Sequence, residues 1–288
     1  MPIVRANGVD ICYEALGDPA DLPVLLIHGH GAQLVAWHED LVKFLVALGF
    51  YAITFDNRDV GRSTHLTDVP APDVFAIVGG DLATMAYSIE DMADDAAMLL
   101  GSLGVGPAHV LGVSMGGMIA QSFAIRYPEL TKTLTSVMSS PDPVRVGTPA
   151  PEVIEHWFDP APTTREGIIE LALSSWRETG SPELGIDEAW IRDVSGRQFD
   201  RSYDPAGVAR QFGAIVGSPD RRPGLGGVTA PTLVVHGAID PLVTIEGGVA
   251  TAKAVPGAEL VVVDKMGHDL PRAVWPQFLD AFASLAVR

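Results

Sequence analysis

The order of hydrophobic and polar positions divides the chain into three stretches. In the first, short apolar runs alternate with amphipathic patterns, the rhythm of a mostly parallel sheet covered by helices. Residues 3–5 and 9–16 flank Asn7-Gly8, a turn pair suited to a β-hairpin, and the second arm reads as an edge strand carrying Cys12. The run 24–27 is apolar throughout, as a strand buried on both faces should be. A helix is expected over 37–48, closed by Gly49 and followed by a strand over 51–55. Ser88 reads as the N-cap of a helix reaching about 103. A strand over 108–113, a helix to Tyr127 stopped by Pro128, and a strand over 133–138 complete this part.

The rhythm then changes. From Pro141 to about Pro223 there are helical patterns and many prolines, but no strand-like run. Strand and helix alternate again over 231–236, 245–255, 259–263 and 275–286. An all-helical stretch between two halves of one sheet reads as a lid over a site, with a separate helical domain as the alternative. The expected organisation is a core over 1–142, a helical cap over 143–217 and the rest of the core over 218–288. The segment 70–87 is long and apolar for a connection, and the pattern assigns it no place.

Composition narrows the chemistry. Lys and Arg total 19 against 36 Asp and Glu, so the 288 residues carry a formal charge of −17. That balance argues against nucleic acid and against an anionic membrane surface. A single cysteine, Cys12, excludes an internal disulfide and a cysteine-held metal cluster, and reads as a small buried hydrophobe. The first residues lack a basic region followed by an apolar run, and no stretch approaches membrane-spanning length. A soluble cytoplasmic protein is the resulting expectation, with its oligomeric state, a homodimer included, left open.

The candidate chemistry centres on Gly112-Val113-Ser114-Met115-Gly116. Glycines two residues before and after a serine, between an apolar strand and a helix start, have the form of a nucleophile elbow. Thirty glycines make such a turn a weak signal alone, so its context decides. A serine nucleophile needs a base, and the base an acid to orient it. Asp240 and His268 each follow an expected strand by a few residues, in the chain order Ser, acid, His that such a fold requires. Asp142, just past the strand ending at Met138, is the competing acid. The loop His28-Gly29-His30-Gly31 follows the strand over 24–27, so the backbone N–H groups of His30 and Met115 are the expected oxyanion donors. The same histidines could be read as metal ligands, but no carboxylate or third histidine stands nearby at ligand spacing, so no metal is expected. The charged run from Asp56 to Ser63 fits either an anion site through Arg58 or Arg62, or a self-satisfied loop that fixes its neighbours.

Together, the loop 28–31, the run 56–63, the elbow, the Asp240 loop and the ending Met266-Gly267-His268-Asp269-Leu270-Pro271 resemble the α/β-hydrolase family over essentially the whole chain. Within it the chain is most similar to the bacterial branch typified by aclacinomycin methylesterase and related esterase-lipase proteins. The resemblance implies an eight-stranded, mostly parallel sheet with flanking helices and an inserted helical cap. It implies Ser114, Asp240 and His268 as a triad, and no cofactor. One departure is His30, where that branch has a Gly-Gly turn, which implies a differently shaped oxyanion hole.

The expected activity is hydrolysis of a small to medium, hydrophobic carboxylic ester through an acyl-enzyme. Trp157, Trp176 and Trp190, with Phe158, Phe199, Tyr203 and Phe212, would supply aromatic walls for a bulky ester, or merely the cap's own core. From 144 to 222 there are nine arginines against thirteen acidic residues, so this stretch is no basic clamp for a phosphate tail. Carbon–carbon hydrolysis or perhydrolysis with the same triad are the rival chemistries, and a non-catalytic ligand-binding protein of the same fold is the rival class.

Overall fold

In the computed structural model, which describes residues 1–155 and 162–287, eight strands form one sheet. They are β1 (Ile3–Ala6), β2 (Val9–Leu16), β3 (Leu22–Ile27), β4 (Phe50–Phe55), β5 (Ala108–Val113), β6 (Thr131–Val137), β7 (Thr232–Gly237) and β8 (Glu259–Val263). Their order across the sheet is β1-β2-β4-β3-β5-β6-β7-β8. The two pairings made by β2 are antiparallel, and all others are parallel. Cys12 is fully buried, but β2 lies between β1 and β4, so it is not on an edge strand as expected.

The helices are α1 (Glu39–Ala47), α2 (Val74–Val78), α3 (Ile89–Ser102), α4 (Met115–Arg126), α5 (Pro151–Ile154), α6 (Arg165–Thr179), α7 (Glu188–Arg201), α8 (Pro205–Val216), α9 (Arg222–Leu225), α10 (Ile245–Ala254) and α11 (Trp275–Ala286). One face of the sheet packs on α3 and α4 through Met92, Leu99, Ile119 and Phe123. The other packs on α1 and α11 through Leu41, Leu45, Phe278 and Phe282. Every residue of β5 and β7 is buried, His109 and His236 included, as in central strands covered on both faces.

Local rules set the boundaries. At α3, Ser88 and Asp91 form a reciprocal capping box, each side chain accepting the other's backbone N–H. The helix expected from Trp37 begins later, at Glu39, because His38 Nδ1 accepts the Asp40 N–H and acts as the cap, while 34–36 form a separate single turn. The strand expected over 133–138 runs instead over Thr131–Val137. The unplaced segment 70–87 contains α2, which leans on α8: Ile77 is buried, and both Ile77 and Met85 approach Gly217.

Between β6 and β7 the chain forms α5 to α9 and no strand among its described residues. The helices α6, α7 and α8 start at Thr164, Asp187 and Asp204, whose side chains accept backbone N–H groups of the first turn. This helical insert spans the ends of the strands where the site lies.

Candidate active site

The carboxyl ends of β3, β5, β7 and β8 gather the residues singled out by the sequence. Ser114 sits between β5 and α4 with φ +55° and ψ −122°, a left-handed backbone that a non-glycine residue adopts only under tight constraint. A Cβ on Gly112 would lie 2.0 Å from the Gly116 carbonyl oxygen, and one on Gly116 would lie 2.0 Å from the Ile27 carbonyl oxygen. The two glycines are therefore what allow the turn to close against β3. The Ser114 N–H donates to Val137 O at 2.9 Å, and Ser139 Oγ donates to Ser114 O at 2.8 Å, which lock the turn onto β6.

Asp240 and His268 converge on that serine. Asp240 is 4% exposed, and its Oδ1 accepts the backbone N–H groups of Leu242 and Val243, both at 2.9 Å. Its Oδ2 lies 2.8 Å from His268 Nδ1. A carboxylate can only accept, so Nδ1 carries the imidazole proton and Nε2 is left as an acceptor. The Ser114 hydroxyl stands 2.9 Å from that Nε2 and donates to it. Asp142 is elsewhere: it is buried and faces Arg145 at 3.4 Å and Arg222 at 3.5 Å.

The loop after β3 passes over the serine, with the Gly29 Cβ position 3.1 Å from Ser114 Cβ. Neither the His30 nor the Met115 backbone N–H has a hydrogen-bond partner among the described residues, which leaves both donors available. Met115 opens α4, so its N–H also lies at the positive end of a helix. Burial lowers the pKa of His28 to about 4, and its Nδ1 accepts the Gly29 N–H at 2.8 Å, so this imidazole is a neutral structural brace. The His30 pKa is also lowered, chiefly by burial, and its Nε2 donates to Val208 O at 2.8 Å.

The charged run closes on itself. Asp95 receives Nε and Nη2 of Arg58, both at 2.7 Å, and Arg210 donates to both oxygens of Asp59 at 2.8 Å. Asp56 takes the Leu34 and Arg62 backbone N–H groups at 2.7 and 2.9 Å and pairs with Arg201. Asn57 donates to His28 O. The loop joins α3, the insert and the loop after β3, and the Arg58 guanidinium is buried with its charge paired to Asp95. Asp59, His65 and Asp204 bring ligand-type atoms within 4.8 Å of one another. Arg210 pairs with both carboxylates, however, and both His65 ring nitrogens have hydrogen-bond partners.

Above Ser114 and His268 opens a cavity of about 690 Å³, walled by the core on one side and by the insert on the other. Trp37 and Trp275 line it from the core, and Trp176 and Trp190 from the insert. His38 stacks on Trp190 at 5.1 Å and bridges the two sides. Trp157 and Phe158 lie outside the described residues. Phe199, Tyr203 and Phe212 do not line the cavity: Phe199 packs on Tyr203, and Phe212 lies behind His30. Sequence reasoning missed Gln198, Gln211, Ser181 and Asp269, polar insert and loop residues around the site whose partners stand 86 to 180 positions away.

A model of the alpha/beta hydrolase fold matches residues 23–271 of the chain. The chain belongs to the α/β-hydrolase fold family. It is 30% identical to rhodomycin D methylesterase DnrP from Streptomyces peucetius, over 94% of this chain and 93% of that one. It is 28% identical to rhodomycin D methylesterase DauP from a Streptomyces species over the same shares. Among solved structures, the enol-lactonase from Burkholderia xenovorans aligns with a TM-score of 0.72 at 25% identity, covering 99% of this chain and 98% of that one. This α/β-hydrolase is a hydrolytic enzyme of the esterase type. No helix among its described residues is long and apolar enough to cross a membrane.

Proposed function

We propose that this α/β-hydrolase cleaves hydrophobic carboxylic esters through an acyl-enzyme on Ser114. The observation that carries the reading is the unbroken chain from Ser114 Oγ to His268 Nε2 at 2.9 Å and from His268 Nδ1 to Asp240 Oδ2 at 2.8 Å. His268 takes the Ser114 proton as Oγ attacks the ester carbonyl carbon, and Asp240 holds the imidazolium that forms. The carbonyl oxygen becomes an oxyanion between the free N–H groups of His30 and Met115. Collapse of the tetrahedral intermediate breaks the C–O bond, and the alcohol leaves with the proton from His268. Water then repeats the sequence on the acyl-serine, releasing the carboxylic acid and restoring the serine.

The helical insert over 143–217 acts as a cap on this reading. Trp176 and Trp190 press on the substrate from above, Trp37 and Trp275 from below. A cavity of about 690 Å³ with four indole walls suits an ester carrying an aromatic or fused-ring group, since flat rings stack on such walls. The methyl-ester cleavage named for the Streptomyces relatives is consistent with that choice.

The test is a panel of p-nitrophenyl esters of increasing acyl size, methyl esters of aromatic acids, and a dienoate ring-fission product, with phosphonate labelling read by mass spectrometry. Ester turnover with the label on Ser114, both lost in Ser114→Ala, is the expected result. Dienoate cleavage with negligible ester turnover, or an unlabelled Ser114, would overturn the reading.

A further inference from the structure

Three consecutive residues of the loop after β8 find hydrogen-bond partners in two residues, Thr179 and Ser181, at and just past the end of α6. The His268 N–H donates to Thr179 O at 2.6 Å. The Gly267 N–H donates to Ser181 Oγ at 2.8 Å. The Ser181 hydroxyl donates in turn to Asp269 Oδ1. Ser181 is fully buried and Asp269 is 4% exposed, so these bonds are shielded from water. Thr179 ends its helix, where a carbonyl has no partner in the next turn and is free to receive an outside donor.

The two segments meet backbone to backbone. A Cβ on Gly267 would lie 2.2 Å from Gly180 O and 2.4 Å from Thr179 O, and one on Gly180 would lie 2.4 Å from Trp176 O. Glycine at 267 lets two main chains from parts of the sequence 86 or more residues apart come this close, while glycine at 180 lets the chain turn tightly off the end of α6. The core holds the loop on either side of the histidine, through the Ile239 N–H to Met266 O at 3.1 Å and the Trp275 Nε1–H to Leu270 O at 2.9 Å. At His268 itself the backbone hydrogen bond runs to the insert.

We infer that Ser181 is a positioning residue for His268. Its hydroxyl accepts from the residue before the histidine and donates to the residue after it, so it fixes the backbone on which the imidazole stands. It touches neither substrate nor the reacting atoms. The insert is then a fixed member of the catalytic arrangement as well as a cover. Movement that lifted the end of α6 would unseat the base, so the chemical step requires this corner closed.

The inference rests on the reading of His268 as the general base, and its test has one arm independent of that reading. In the full chain, Ser181→Ala leaves Gly267 and Asp269 without their shared partner. The expected result is a kcat reduced about 10- to 100-fold with KM changed less than about threefold, since displacements near 1 Å cost that much at a reacting centre. Ser181→Cys keeps shape and burial while weakening both bonds, and gives the same readout at smaller amplitude should the alanine variant not fold. Lys265→Ala, which removes an exposed ion pair to Glu183 on the same loop, should keep kcat within about twofold.

The second arm follows the His268 imidazole ¹⁵N resonances with Ser114→Ala as background, where no turnover is needed. Ser181→Ala or Ser181→Cys should shift or broaden them, and should speed exchange of the Gly267 amide. Unchanged resonances overturn the positioning role whatever the kinetics show, and so does a kcat within twofold of the parent in the folded Ser181→Ala protein. If Ser114→Ala itself retains full turnover, the serine mechanism fails, and the resonance arm still decides the role of Ser181.

Discussion

Half of the candidate site is held by the core and half by the insert. Ser114 and Asp240 are fixed by near neighbours: Val137 and Ser139 hold the elbow, and Leu242 and Val243 hold the carboxylate. The loop after β3 and the His268 loop depend on distant residues. Gln211 Oε1 accepts the Gly31 N–H at 2.8 Å, Gln198 Oε1 accepts the Gln33 N–H at 2.9 Å, and Thr179 O accepts the His268 N–H. The groups assigned to nucleophile and acid thus follow from the sheet alone. The groups assigned to base and to the His30 oxyanion donor stand on loops that are also hydrogen-bonded to the insert.

The largest effects test the shared centre. Ser114→Ala and His268→Ala should each lower kcat/KM by about 10⁴-fold or more, and the double variant should be hardly worse, because the two act as one unit. Steady-state kinetics on the best ester of the panel measures this. Additive losses would show that the two do not work together. Next comes the acid. Asp240→Asn should cost about 10³- to 10⁴-fold by stabilising the wrong imidazole tautomer. Asp142→Asn should stay within about threefold, because that carboxylate faces Arg145 and Arg222 instead of the histidine. A reversal of the two would move the acid to the end of β6.

The core-held half was legible in the sequence because its constraints are local. Gly112, Ser114 and Gly116 announce a turn by spacing, and Asp240 and His268 announce themselves by following apolar runs. The insert-held half was not, because Gln211, Gln198 and Ser181 look like ordinary helical or turn residues until the chain folds over on itself. Of the two readings of the charged run, Asp56, Asn57, Arg58 and Asp59 follow the self-satisfied one, yet which cations close it (Arg201 and Arg210, both in the insert) could not be read from spacing. Cys12 was misplaced for a related reason: the hairpin pattern does not say which of its arms pairs with β4.

Acid should act on the folded chain through its buried histidines. His109 lies within β5 at 2% exposure, its Nδ1 bonded to Thr133 Oγ1 and its Nε2 without a partner among the described residues, and burial lowers its pKa to about 4. In the unfolded chain it titrates near 6.5. Between pH 6.5 and 4 the unfolded state therefore binds the extra proton, and stability falls as pH drops through that window. The slope contributed is up to about 1.4 kcal/mol per pH unit, with His28 acting in the same direction. Urea unfolding at pH 7 and pH 5 measures it, and His109→Phe should flatten the dependence. An unchanged slope in that variant would place the acid sensitivity elsewhere.

The smallest effects make the sharpest comparison, because one hydrogen-bonding side chain is deleted on each side. Ser139→Ala removes a bond to the elbow carbonyl, but the Ser114 N–H still donates to Val137 O and the glycines still close the turn. About 1 kcal/mol of stability and less than a twofold change in kcat are expected. Gln211→Ala removes both the acceptor for the Gly31 N–H and, at 2.7 Å, the donor to Arg58 O, in a fully buried position. Nothing else among the described residues accepts the Gly31 N–H, so the loop carrying His30 is free to shift its own N–H away from the developing oxyanion. A roughly fivefold to tenfold fall in kcat is expected, about 1–1.4 kcal/mol of transition-state stabilisation, with thermal unfolding recorded for both variants. Equal kinetic effects would mean that the insert merely covers the site. A loss confined to Gln211→Ala would mean that it builds half of it.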